Sequence, residues 1–108
     1  MTLSELNTLL LTTGLPVAYQ AFPVDHAPAM PFVVYQETGS DNFGADNIVY
    51  VSAMRIQIDL FCSKKSRFTE ITLENILTGA GIFWERESGY DDTEDYFRTT
   101  YDIEIQEG

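Results

Sequence analysis

The stretch Val49-Tyr50-Val51-Ser52-Ala53-Met54-Arg55-Ile56-Gln57-Ile58-Asp59-Leu60-Phe61-Cys62 decides the architecture. From Met54 on, Met54, Ile56, Ile58, Leu60 and Cys62 alternate with Arg55, Gln57, Asp59, Phe61 and Ser63. A period of two is the mark of a strand with one buried face. Burying Met54, Ile56, Ile58 and Leu60 contributes roughly 1.5–3 kcal/mol each, about 6–12 kcal/mol together. A one-residue slip would forfeit most of that, so the pairing register is expected to be fixed.

Working outward, Thr2–Thr12 predicts a short helix, with Leu3, Leu6, Leu9 and Leu10 on one stripe. Thr2 with Glu5 forms a capping box, Gly14 ends the helix in a left-handed conformation, and Pro16 prevents its resumption. Val17–Phe22 and Phe32–Glu37 predict two short strands, bracketed by the chain's four prolines. Thr38–Asn47, rich in Gly, Ser, Asp and Asn, predicts a polar loop with Phe43 alone inside it. Ser66–Thr78 predicts a second helix with Ser66 as N-cap, and Phe68, Ile71, Ile76, Leu77 and Ala80 on its apolar face, Leu73 at the margin. Ile82–Glu87 predicts a strand, Ser88–Asp92 a turn, and Tyr96–Gln106 a last strand that pairs with it as a hairpin. The link from Cys62 to Ile82 suits a crossover helix between parallel strands, and the other neighbours are expected to be antiparallel. The result is one α+β domain of 108 residues, order α-β-β-β-α-β-β, with both helices on one face of a mixed, mostly antiparallel sheet.

Composition narrows the function. The 6 basic and 17 acidic residues give a net charge of −11, which disfavours sequence-independent binding of nucleic acid or of anionic membranes. Acidity suits a basic partner, or a passage through which nucleic acid slides without sticking. With one cysteine, Cys62, no intramolecular disulfide forms, and a reducing cytosol is the expected setting. Met1–Glu5 has neither a basic region nor an apolar run, so no signal peptide is expected, and no segment has the roughly 20 apolar residues of a membrane span.

Candidate chemistry is sparse. His26 is the one histidine, Gly79-Ala80-Gly81 follows a helix instead of opening one, and Asp41 and Asp46 lack calcium-loop spacing. No catalytic, cofactor-binding or metal-ligating residue is expected. Charge is distributed more tellingly. Lys64, Lys65 and Arg67 cluster ahead of the second helix, where its macrodipole prefers anions, so they gain nothing from their own helix. Glu85, Glu87, Asp91, Asp92, Glu94 and Asp95 crowd the final hairpin, with Arg86 to offset them. These are either two solvated patches or the two halves of a head-to-tail contact between subunits. Phe43 is either a local anchor or an exposed contact residue.

Taken in order, Thr12-Thr13-Gly14-Leu15-Pro16-Val17-Ala18-Tyr19, Ala21-Phe22-Pro23, Ala27-Pro28-Ala29-Met30-Pro31-Phe32, Asn42-Phe43-Gly44-Ala45-Asp46-Asn47, Tyr50, Ile56-Gln57-Ile58-Asp59-Leu60, Lys64-Lys65 and Gly81-Ile82-Phe83-Trp84-Glu85 resemble small structural tail proteins of long-tailed phages and prophages of Gram-positive bacteria. The type is the tail-completion, or tail-terminator, protein that joins tail tube to head. The resemblance covers nearly the whole chain and rests on order and spacing. It implies a virion protein without enzyme activity or cofactor, assembled in the host cytoplasm into a ring, expected to be hexameric. Its partners would be tail-tube and head–tail connector proteins, and DNA would pass through unbound. The segment from Asp41 to Tyr50 (with Asn42, Phe43, Asp46 and Asn47) is the expected contact with a neighbouring subunit or tube protein. Two other functions fit: another head–tail connector component, or an acidic inhibitor that mimics DNA.

Overall fold

The computed structural model describes residues 1–23, 26–45 and 48–107, and the side chains of 1–23, 26–40 and 53–106. Helix α1 (Leu3–Leu11) begins at the Thr2–Glu5 capping box: Thr2 Oγ1 accepts from Glu5 N–H, and Glu5 Oε1 accepts from Thr2 N–H. Gly14 follows at φ +81°, a conformation that costs glycine little. Strand β1 (Val17–Tyr19) is short. Strands β2 (Phe32–Ala45) and β3 (Ile48–Cys62) form a long antiparallel hairpin. Helix α2 (Arg67–Gly79) starts at Ser66, whose hydroxyl accepts from Thr69 N–H. Strands β4 (Trp84–Asp91) and β5 (Tyr96–Glu107) form the last hairpin.

The sheet order is β1-β2-β3-β5-β4. β3 and β4 both run antiparallel to β5, so they are parallel to each other, joined across it by α2. The alternation in β3 reads out from Ile56 on, whereas Met54 is only partly buried, and Ala53 and Asp59 of the opposite face are buried too. Ile56, Ile58 and Leu60 are buried, opposite Ile103, Tyr101 and Thr99 of β5, while Tyr35 and Val33 of β2 flank Ile58 and Leu60. Leu6 and Leu10 of α1 and Leu73 and Leu77 of α2 close the same core. Both helices therefore cover one face, and the opposite face carries Phe32, Val34, Gln57, Asp59, Phe61 and Tyr96.

Four expectations are corrected. First, β1 pairs parallel with β2, Val17 opposite Val33. Residues 20–31 give enough chain to return to the same end of the sheet, so a tight antiparallel hairpin is not required. Second, Thr38–Ala45 is not a loop. It continues β2, because β3 extends back to Ile48 and offers a backbone ladder to these turn-forming residues. Two register shifts, at Glu37/Gly39 and Phe43/Gly44, absorb the irregularity. Third, Ser88–Asp91 belongs to β4, and the turn falls on residues 92–95. Fourth, α2 is rotated from the face expected: Glu70, Leu73, Glu74 and Leu77 are buried, while Phe68 is 82% exposed and Ile71 42%.

The β2–β3 hairpin also sets the shape. Fifteen-residue β3 at about 3.3 Å per residue spans nearly the whole 50 Å long axis. The radius of gyration is 15.0 Å, against about 13 Å for a compact domain of this length.

Candidate assembly surfaces

Three surfaces stand out, and the first is the distal hairpin. β5 pairs with β3 only as far as Ser52, and β1 pairs with β2 only at Val33–Tyr35. Beyond Asn42 and Ser52 the β2 and β3 backbones pair with each other alone among the described residues, as in Gly44 opposite Val49 and Ala45 opposite Ile48. A two-stranded ribbon is marginal by itself in water, so such an arm is suited to being covered by another chain. Asp41, Asn42 and Phe43 lie on its β2 strand, and Tyr50 is the residue left over at the second register shift. Their side chains, and Asp46 and Asn47 altogether, lie outside what the structure describes.

The second surface is at the other end of the sheet, where β3 stops and β5 begins. Two of the expected basic residues, Lys65 and Arg67, find their carboxylates here within one molecule, on α2 and not on the acidic hairpin. Lys65 Nζ donates to Glu70 Oε2 at 2.6 Å and to Ser88 Oγ at 3.2 Å. Arg67 donates to Glu70 at 3.0 Å and forks onto both oxygens of Glu74 at 2.8 and 3.0 Å. The expectation that these cations gain nothing from their helix is thus corrected, since α2 supplies two carboxylates on the turns that follow. Arg86 also leaves the hairpin acids and joins Glu74 at 2.8 Å. Thr99 Oγ1 completes Glu70, and the buried Tyr101 hydroxyl completes Glu74, each at 2.8 Å. Burial pushes both carboxyls up, yet these donors outweigh it: Glu70 is held below the usual range, and Glu74 is lowered to about 2. Burial and the Glu74 bond raise the Tyr101 phenol. Sequence inspection misses this network because buried Glu reads as a surface residue. The signal that finds it is the spacing Arg67, Glu70, Glu74, three and four residues apart on one helical face.

With Arg86 turned inward, Glu85, Glu87 and Asp92 are exposed on the β4–β5 hairpin. Asp91 is used locally: it accepts from the backbone N–H of Glu94 and of Thr93, which hold its carboxyl below the usual range. Lys64 is exposed on the same end.

The third surface is on the uncovered face. Phe22, Phe32, Phe61 and Tyr96 make a row of rings with successive centroids 5.1, 5.1 and 5.5 Å apart. With Met30 and Val34 they line an open groove of about 500 Å³. Asp59 lies at its edge, buried, and accepts from Gln57 Nε2 and Thr100 Oγ1. Half-buried aromatics in a contiguous row are the usual material of a protein contact. The signal in the sequence is Phe61, which alternates with the apolar set alongside Arg55, Gln57 and Asp59.

Cys62 lies on the helix-covered face, its thiol pushed up by burial. Among the described residues no group of three or more His, Cys, Asp or Glu is arranged to hold a metal ion, and no helix is long and apolar enough to cross a membrane.

No protein-family model matches the chain, and no curated protein does. Among solved structures, a chain from the virion of a native gene transfer agent particle superposes with a TM-score of 0.59 at 11% identity, over 95% of this chain and 88% of that one. At that identity the likeness is one of fold, and it extends over nearly the whole of both chains.

Proposed function

We propose that this chain is a non-enzymatic structural protein of a phage or prophage tail, a ring-forming tail terminator that joins tail tube to head. The observation that carries the proposal is the shared fold over 95% of the chain with a component of a gene transfer agent virion. The virion role is supported by that likeness; the ring and its hexameric size are what the resemblance in sequence implies. The surfaces are consistent with it. An unbacked β-arm at one end and a charged end opposite are what a subunit needs to engage neighbours above, below and beside it. The arm from Asp41 to Tyr50 is assigned to a neighbouring subunit, tube or connector protein. Lys64, with the solvent-facing parts of Lys65 and Arg67, is assigned to a contact with Glu85, Glu87, Asp91 or Asp92 of the next copy. The net charge of −11 suits a lumen that DNA crosses without adhering.

The test is native mass spectrometry and negative-stain microscopy of the purified protein across concentration, alone and with tail-tube protein. A closed ring, six subunits by the proposal, is expected. A monomer under every condition overturns the assignment, and a monomer that blocks a nuclease or polymerase identifies a DNA mimic instead.

A further inference from the structure

The apolar groove and the exposed apolar residues of α2 lie on opposite sides of the molecule, at the same end. Phe68 stands 82% exposed, roughly opposite the buried stripe Glu70–Leu73–Glu74–Leu77 on the helical wheel, with Ile71 beside it at 42%. An exposed phenylalanine is ordinary on its own. Its surroundings are not. Lys64 lies four residues before it, and Lys65 and Arg67 keep 45% and 49% of their side chains in solvent despite their internal partners. The groove is framed by the opposite charge. Tyr96 lines both the groove and the neighbouring hollow at the acidic turn, where Asp91 and Asp92 stand against a single cation, Arg98. A cation-flanked apolar knob and an acid-flanked aromatic socket are therefore carried by the same chain, facing away from each other.

We propose that the groove lined by Phe22, Met30, Phe32, Val34, Phe61 and Tyr96 receives Phe68 and Ile71 from the helix α2 of a second copy of this chain. The contact is heterologous, knob of one subunit into socket of the next, the geometry that propagates until a ring closes. Phe68 entering a row of rings finds edge and face partners at once, and the groove has room for both side chains. Lys64 comes to lie against the acidic turn of the neighbour, where complementary potential fixes orientation and discriminates against the reversed, self-matching arrangement. The proposal rests on the ring-forming role stated above and names its subunit contact.

The experiment places the photoreactive residue p-benzoyl-phenylalanine at position 68, a solvent-exposed site where folding tolerates it, and maps the cross-links made by the assembled protein. Cross-links to residues 20–36, Phe61 or Tyr96 of another copy are expected. Phe68→Asp should weaken subunit association at least about tenfold, with circular dichroism and melting temperature unchanged. Cross-links to the neighbour's own α2 or to a different protein, or assembly by Phe68→Asp at wild-type strength, overturn the contact while leaving the ring standing. A wild-type protein that never associates, alone or with tube protein, overturns both.

Discussion

The two faces of the sheet are finished to different degrees. Between the sheet and the helices the large apolar side chains pack against one another: Ile56, Ile58, Leu60, Leu73, Leu77 and Tyr101 are at most 1% exposed. Even the two carboxylates there are saturated, Glu70 by Lys65, Arg67 and Thr99, and Glu74 by Arg67, Arg86 and Tyr101. On the other side, the aromatic row from Phe22 to Tyr96 is only half covered, and no layer lies over it among the described residues. The difference separates stability from assembly. What folds the monomer lies under the helices, and what remains for a partner lies on the open face, on the outer side of α2 and along the arm.

That division can be broken most forcefully on the helix side. Leu60→Ala, which empties a fully buried site between β2, β5 and the helices, should cost about 2–5 kcal/mol by denaturant titration. A loss below about 1 kcal/mol would mean the core is not where it is described. Glu74→Ala leaves the Tyr101 hydroxyl and two guanidinium groups without their shared acceptor and should cost about 3 kcal/mol. Acid gives the same interaction a second readout. The Glu74 carboxyl is lowered to about 2 when folded, so its contribution is complete above the ordinary carboxylate range and is lost as pH falls from about 4.5 towards 2. Wild-type melting temperature should therefore decline more steeply over that interval than that of Glu74→Gln; parallel declines would show that the network adds nothing. The smallest effect belongs to the arm. Replacing residues 44–49 by a two-residue Asn-Gly turn removes the Gly44–Val49 and Ala45–Ile48 pairs, which among the described residues no third strand supports, and should shift stability by under about 1 kcal/mol while abolishing assembly. A large loss of stability would make the arm part of the folding unit.

Much of the helix side was legible in the sequence because its signals are local. The alternation of Met54–Cys62, the Thr2–Glu5 box and the Ser66 cap each state their structure within a few residues, and the α+β order followed. The open side was harder, since its features depend on distant partners. Gly39, Ser40, Asp41, Asn42 and Gly44 are poor strand formers, yet the β3 backbone from Val49 to Arg55 holds them extended, a tertiary override of propensity. The rotation of α2 was hidden for a related reason. Hydropathy assigns Phe68 to the core and Glu70 and Glu74 to solvent, and only the cations of Lys65, Arg67 and Arg86 and the hydroxyls of Thr99 and Tyr101 reverse that choice. Lys65 and Arg67 were expected in a solvated patch or a subunit contact, and Arg86 beside the hairpin acids. Phe22, Phe32, Phe61 and Tyr96 are scattered in sequence, so the groove they form appears only once β2, β3 and β5 lie side by side.

The central claim is that this chain completes a tail and joins it to a head. Electron microscopy of particles produced without it tests that claim most directly. Filled heads separated from tails of uncontrolled length, restored by supplying the wild-type chain, are the predicted result; particles with normal head–tail junctions and normal tail length would contradict it.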